Sequence, residues 1–150
     1  MIRIIFVVDA TGSMSATLEA LRPALTQLCK LLPLFADIKL HLIIYRDFDQ
    51  MGDALYNHHG PFEMTDIDKM NDIIKNTKAL GGDDEPECMK YAFNRMLREI
   101  DDFNKEQIVF HFTDAPPHSS PYPTSYLPIN GTNNHYREGN SLKINNMTGD

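Results

Sequence analysis

Tryptophan is absent from the 150-residue sequence, and cysteine occurs only twice, at Cys29 and Cys88. Two cysteines cannot build the disulfide framework of a small secreted domain, and both lie in apolar helical patterns. No signal peptide is visible, so we expect two small core residues of a cytoplasmic protein. The apolar N-terminal stretch is far shorter than the roughly 20 residues of a membrane-spanning helix, so no membrane span is expected.

Positive charge is scarce as well. Lysine and arginine together number 14 against 21 aspartates and glutamates, which gives a formal net charge of -7. An acidic surface repels phosphate backbones, so the composition argues against a nucleic-acid partner. Neither the phosphate-binding pattern GxxxxGK[ST] nor a G-x-S-x-G nucleophile turn occurs, so those two classes of enzyme site are unsupported.

The sequence instead alternates short apolar runs with apolar stripes of helical spacing. Strands are predicted over residues 2–8, 37–48 and 106–114, all buried, with a short edge strand over 54–64. Helices are predicted over residues 14–33, from about 65 to 79, and from Pro86 to about 100. Pro23 lies inside the first stripe and should either kink that helix or begin a new one. The alternation predicts a Rossmann-like α/β fold, with a mostly parallel central sheet and helices on both faces.

The segment beyond Asp114 differs in character. It is dense in proline, asparagine, serine and glycine, and no strand or helix period persists in it. We therefore predict a folded core over residues 1–118. Residues 119–150 are predicted to be an irregular segment, an incomplete continuation of the same domain.

Oxygen-bearing side chains cluster where the predicted strands end. Asp9 and Asp114 each close an apolar strand, Thr11 and Ser13 follow Asp9, and Asp84 lies in an acidic loop that opens a helix. Ligands bind at the carboxyl ends of strands in such sheets, so these residues should share one edge. Ligands that are all oxygen favour Mg²⁺, Mn²⁺ or Ca²⁺ over zinc or copper. The alternative is that Asp9, Thr11 and Ser13 simply cap the first helix.

Four short motifs resemble those of von Willebrand factor A domains. "DATGS" resembles their DxSxS signature, with Thr11 in place of the first serine. "GGDDEPE" and "FTDAPPH" resemble the second and third metal loops of the family. Together with "YRD" at the end of the second strand, they are most similar to the intracellular members of the type attached to alpha-kinases. The resemblance implies a metal-ion-dependent adhesion site that binds Mg²⁺. It also implies further strands and helices after the third metal loop, so the sheet in this sequence is expected to be truncated at its C-terminal side.

The resemblance also implies a role for each site residue. Thr11 and Ser13 would hold the ion directly, whereas Asp9 and Asp114 would act directly or through water. Asp84 falls where the second loop of the family has a threonine. An acidic group of a protein partner would complete the coordination, so the expected function is a Mg²⁺-dependent protein-binding module without catalysis of its own. The additional carboxylate of Asp84 should weaken capture of an acidic group and favour a neutral or basic one.

A second function remains open at this point. "FVVDATGS" also resembles the phosphorylated-aspartate motif of haloacid dehalogenase-like phosphatases, in which Asp9 would be the nucleophile and Mg²⁺ the cofactor. The soluble phosphatases normally carry a second acid where this chain has Thr11. They also need a lysine, for which the sequence has no convincing candidate. The binding module is therefore the favoured interpretation.

Three further features lie outside these motifs. The adjacent His58 and His59 are predicted to be surface residues, and His111 a packed residue of the last strand. Tyr45, Arg46 and Asp47 lie at the end of the predicted second strand, where either a structural pair of Arg46 with Asp47 or a functional role is open.

Overall fold

The computed structural model describes residues 2–34, 37–47, 49–82, 88–100 and 106–115. Its strands are β1 Ile2–Asp9, β2 Ile38–Tyr45, β3 Tyr56–Phe62 and β4 Gln107–Phe112. Its α-helices are α1 Ser15–Leu31, α2 Ile67–Asn76 and α3 Met89–Glu99. Short 3-10 turns precede α1 and α2 and follow α1. The predicted order of strands and helices is therefore confirmed, whereas Pro86 and residues 119–150 lie outside the described residues.

The four strands form one sheet in the order β3-β2-β1-β4. Strand β1 pairs in parallel with both β2 and β4, and β3 is antiparallel to β2. A mostly parallel sheet with β3 at one edge is what the sequence predicts. Val8 pairs with Phe112 in β4, and Asp9 pairs with Tyr45 in β2, so three strands end at nearly the same level.

Successive residues of the central strand β1 point to opposite faces of the sheet. Ile4 and Phe6 pack in the cluster that includes side chains of α1 and α2, whereas Ile5 and Val7 pack with α3. Helices thus cover both faces, as predicted. Because these side chains are almost completely buried, each contributes roughly 1.5–3 kcal/mol to folding.

Helix α1 runs through Pro23 without a break. The expectation that Pro23 could begin a new helix is therefore wrong. Proline removes one backbone hydrogen bond of the helix, but Leu18 and Leu25 are buried on either side of it and hold both halves against the sheet. Cys29 follows on the same stripe and is buried, as Cys88 is, and neither cysteine forms a disulfide with a described residue.

The burial predicted for the last strand is wrong. Strand β4 was expected to be buried, yet Ile108 is 45% exposed and both Val109 and Phe110 are 39% exposed. Among the described strands β4 pairs only with β1, so it forms an edge, which a buried apolar pattern does not predict. In α3, Leu97 is 41% exposed, because Ala92 and Met96 occupy the face toward the sheet.

Candidate metal centre

The predicted site residues meet where the neighbouring strands β1 and β4 end. Asp9 is the last residue of β1, and Asp114 follows β4 by two positions. Thr11 and Ser13 lie in the turn that leads from β1 into α1. Four of the five predicted residues are thus brought together, and Asp84 lies outside the described residues.

The carboxylate of Asp9 forms the buried base of the site. Its Oδ1 accepts hydrogen bonds from the backbone N–H of Thr11 at 2.9 Å and from the Thr11 hydroxyl at 2.8 Å. Its Oδ2 accepts a hydrogen bond from the hydroxyl of Thr113 at 2.9 Å. Burial raises the pKa of Asp9, and these hydrogen bonds oppose the shift, while the charge of Asp114 adds to it. A cation at this position would favour the ionised form of Asp9.

Ser13 and Asp114 form the open side of the site. The Ser13 hydroxyl donates to Oδ1 of Asp114 at 3.1 Å, and it lies 3.4 Å from the Thr11 hydroxyl. Asp9 and Thr11 are buried, whereas Ser13 and Asp114 are exposed. The oxygens therefore run from the protein interior to the surface, where a ligand from another molecule has access.

The structure does not support the capping alternative. Thr11 is the N-cap residue of the 3-10 turn before α1, and its side chain makes no capping hydrogen bond. Met14 is the N-cap residue of α1 itself and makes none either. The hydroxyl of Thr11 donates to Asp9 instead, and the hydroxyl of Ser13 donates to Asp114.

The donor set suits a hard divalent cation. Two carboxylates and two hydroxyls supply only oxygen, which is the ligand chemistry of Mg²⁺ and Mn²⁺. Across the described ranges, no group of three or more histidine, cysteine, aspartate or glutamate side chains could hold a metal ion. A cation here would therefore depend on Thr11 and Ser13 as well as on Asp9 and Asp114.

Thr113 is a site residue that sequence reasoning missed. Its hydroxyl donates to Asp9 and also contacts the backbone of Ala115, so it links the ends of β1 and β4. The motif "FTDAPPH" contains this hydroxyl directly before Asp114. A hydroxyl that immediately precedes a predicted strand-end ligand is the signal that could have identified it.

Arg46, in the motif "YRD", was open to either a structural or a functional role. One of its terminal nitrogens donates to the carbonyl of Ala54 and the other to the carbonyl of Lys78, both at 2.7 Å. Burial lowers the pKa of Arg46, while the nearby charges of Asp9 and Asp49 oppose that shift. Its guanidinium therefore joins the loop after β2 to the segment after α2, which is a structural role.

The fold and this cluster define an α/β domain whose candidate site lies at the carboxyl ends of parallel strands. A sequence model of the von Willebrand factor A domain matches residues 3–125, and the chain belongs to that family. The resemblance drawn from the sequence motifs is thus confirmed. Domains of this family generally mediate protein interactions, so the family supports a protein-interaction module.

Two curated relatives carry a similar segment. A putative ariadne-like RING finger protein of Acanthamoeba polyphaga mimivirus is 32% identical over 137 residues, which cover 91% of this chain and 12% of the relative. The alpha-protein kinase vwkA of Dictyostelium discoideum is 28% identical over 122 residues, covering 79% of this chain and 19% of the kinase. The chain thus spans less than a fifth of the length of either relative.

The family match does not favour the phosphatase alternative. Within the described residues, no helix is long and apolar enough to cross a membrane.

Proposed function

We propose that this domain is a protein-binding module whose partner binding depends on Mg²⁺ or Mn²⁺. The ion would be held by Asp9, Thr11, Ser13 and Asp114, with Asp84 as a further ligand. The contact between Ser13 and Asp114 carries this proposal, because it joins side chains 101 positions apart in the sequence. Helix capping alone gives no reason for that contact.

The electrostatics of the site support a cation. Asp9 is a buried carboxylate whose pKa is raised chiefly by burial, and Asp114 adds a second negative charge nearby. When bound, a divalent cation would supply compensating charge and a coordination position open to a partner's ligand. We further propose that the domain acts in the cytoplasm and has no catalysis of its own.

Calorimetric titration of metal-stripped protein with Mg²⁺ and Mn²⁺ tests the proposal. We expect one cation per chain, and we expect Asp9→Ala and Ser13→Ala to weaken its affinity by tenfold or more. Ser15→Ala is the matched control, because Ser15 is an exposed hydroxyl two positions after Ser13, at the start of α1. It should bind the cation as the unaltered chain does.

Two outcomes would contradict the proposal. Cation binding that neither Asp9→Ala nor Ser13→Ala alters would place the ion elsewhere, and no binding at all would remove the metal. The phosphatase alternative makes a separate prediction. It requires Mg²⁺-dependent hydrolysis of an aryl phosphate that Asp9→Asn abolishes.

A further inference from the structure

The loop that carries Thr11 is held in place by a second backbone segment. The N–H of Leu80 donates to the carbonyl of Ala10, and the N–H of Gly12 donates to the carbonyl of Gly81, both at 2.9 Å. These two hydrogen bonds lie on either side of Thr11. The segment of residues 80–82 therefore sets the backbone from which the hydroxyls of Thr11 and Ser13 extend.

A side chain at position 81 would be strained and would meet the carboxylate of Asp49. The φ of Gly81 is +77°, and a Cβ atom there would lie 2.6 Å from both carboxylate oxygens of Asp49. Such a backbone angle strains any other residue, and a contact that short forces neighbouring atoms to move. Gly81 thus lies directly against the carboxylate of Asp49.

Asp49 makes three further interactions around this contact. Its Oδ1 accepts a long hydrogen bond from the N–H of Gly82 at 3.4 Å, and its Oδ2 accepts one from Gln50 at 3.0 Å. Its charge also interacts with the buried guanidinium of Arg46. The carboxylate is therefore oriented by groups on its own loop, and it presents an oxygen to the segment of residues 80–82.

From these contacts we propose that Asp49 is a positioning residue of the candidate metal centre. It holds residues 80–82 against the loop of residues 10–12, and so keeps Thr11 and Ser13 in place for the cation. This inference rests on the proposed function, because it concerns the same site. Groups that orient metal ligands without touching the metal typically change metal affinity by about 10–100-fold when they are removed.

The first experiment measures Mg²⁺ affinity by calorimetry in three variants of the loop. Asp49→Ala removes the acceptor, and we expect affinity about tenfold lower or weaker still. Asp49→Asn keeps a side-chain oxygen for Gly82 and should restore most of the affinity. Asp53→Ala is the matched control, because it removes the same charge from an exposed position four residues further along the loop. It should bind Mg²⁺ normally.

The second experiment tests the contact itself in metal-free protein. Gly81→Ala should lower the free energy of unfolding more than Gly52→Ala does. Gly52 also has a positive φ, of +58°, but a Cβ there would have no atom within 4 Å. In the Asp49→Ala background the cost of Gly81→Ala should shrink, because the steric conflict is gone while the backbone strain remains. Hydrogen exchange of the Gly12 amide should be faster in Asp49→Ala than in the unaltered chain.

The outcomes separate this inference from the proposed function. If the unaltered chain binds Mg²⁺ and Asp49→Ala binds it equally well, the positioning role is wrong and the metal centre stands. If the unaltered chain binds no cation, the proposed function fails, and the exchange of the Gly12 amide decides whether Asp49 holds the loop. Unchanged exchange then overturns the inference. Circular dichroism verifies folding, and Asp49→Ser replaces Asp49→Ala if the alanine variant does not fold.

Discussion

At the scale of single residues, Asp9 has a carboxylate at a fully buried position. An isolated buried charge is costly, and the protein offsets that cost with three hydrogen bonds, of which two come from Thr11 and one from Thr113. Thr11 is local in sequence, since it lies two positions away. Thr113 comes from the far end of the fold, so the ionisation of Asp9 depends on β4 being in place.

Thr113→Val should therefore destabilise the protein at neutral pH by about 2 kcal/mol. Valine has nearly the same shape but cannot donate, so Oδ2 of the buried Asp9 loses its partner and the pKa of Asp9 rises further. A raised pKa means that stability is lost as the pH increases through it, so the cost should be smaller in acid, where Asp9 is protonated. Urea unfolding at several pH values measures both effects.

Thr113→Ser is the matched control for this prediction. Serine keeps the hydroxyl and removes only a methyl group, so most of the stability should remain. Equal losses in the valine and serine variants would assign the effect to packing and contradict the role of the hydrogen bond.

At the scale of elements, a chain of polar side chains joins β2, β3 and α3. Nδ1 of His41 lies 2.9 Å from Nε2 of His58, whose Nδ1 lies 3.3 Å from the carboxylate of Glu99. Glu99 also pairs with Arg95 and accepts a hydrogen bond from Tyr56. The expectation that His58 and His59 are surface residues is therefore wrong, since both are partly buried on β3.

The direction of these hydrogen bonds explains why His41 resists protonation. Glu99 can only accept, so His58 donates from Nδ1 and accepts from His41 at Nε2. The Nε2 atom of His41 is then left buried, with no hydrogen-bond partner among the described residues. Burial, together with the charges of His58, Arg3 and Lys39, lowers the pKa of His41 to about 4. A proton on His41 would have no acceptor there.

Acid should therefore weaken the packing between β2, β3 and α3. The pKa of His41 is about 4 in the folded protein and 6.5 in the unfolded chain. The contribution of neutral His41 to the stability of the folded protein is therefore complete above pH 6.5 and is lost as the pH falls toward 4. The loss amounts to about 3 kcal/mol. His41→Phe keeps an aromatic ring without a titrating nitrogen, and it should flatten the unfolding profile over this range.

His59→Phe provides the comparison for this experiment. Burial lowers the pKa of His59 as well, but its charge partner Asp53 opposes the shift. Its substitution should flatten the profile less than His41→Phe does. An unaltered profile in His41→Phe would show that the acid sensitivity lies in other groups.

At the scale of the whole molecule, net charge and exposed apolar surface act together. The charge of -7 at neutral pH keeps molecules apart, and the sequence pI is about 5.2. Strand β4, at an edge of the described sheet, exposes Ile108, Val109 and Phe110. An exposed apolar edge strand is a template for pairing with another chain. We therefore expect solubility to be lowest close to pH 5, where the charge repulsion disappears.

Val109→Lys should raise solubility near this pH, as light scattering across a pH series would show. Leu97→Lys is the matched control, because it adds the same charge at a similarly exposed apolar side chain, but on helix α3. The helix has no open strand edge, so its variant should improve solubility less. Equal gains would assign the effect to net charge alone.

The prediction of the fold from sequence succeeded where the signal was periodic. Apolar runs identified β1 and β2, helical spacing identified the stripe of α1, and both kinds of element form where predicted. The same reasoning placed Asp9 and Asp114 together, because parallel neighbouring strands present their carboxyl ends at one edge. The degree to which β4 is buried could not be predicted this way, because an apolar pattern does not show whether a strand has a neighbour on both sides.

The sequence by itself determined the α/β class, the family and the oxygen-rich loop after β1, since each is encoded in neighbouring residues. Only the tertiary structure decided which distant groups complete that loop. Thr113 donates a hydrogen bond to Asp9, which lies 104 positions away in the sequence. Asp49 contacts the segment of Gly81 and Gly82, which lies about thirty positions further along the sequence. Such contacts depend on strand register and on the path of the backbone between elements. The contact between Asp49 and Gly81 therefore has no signal in the sequence, because only the fold brings these two residues together.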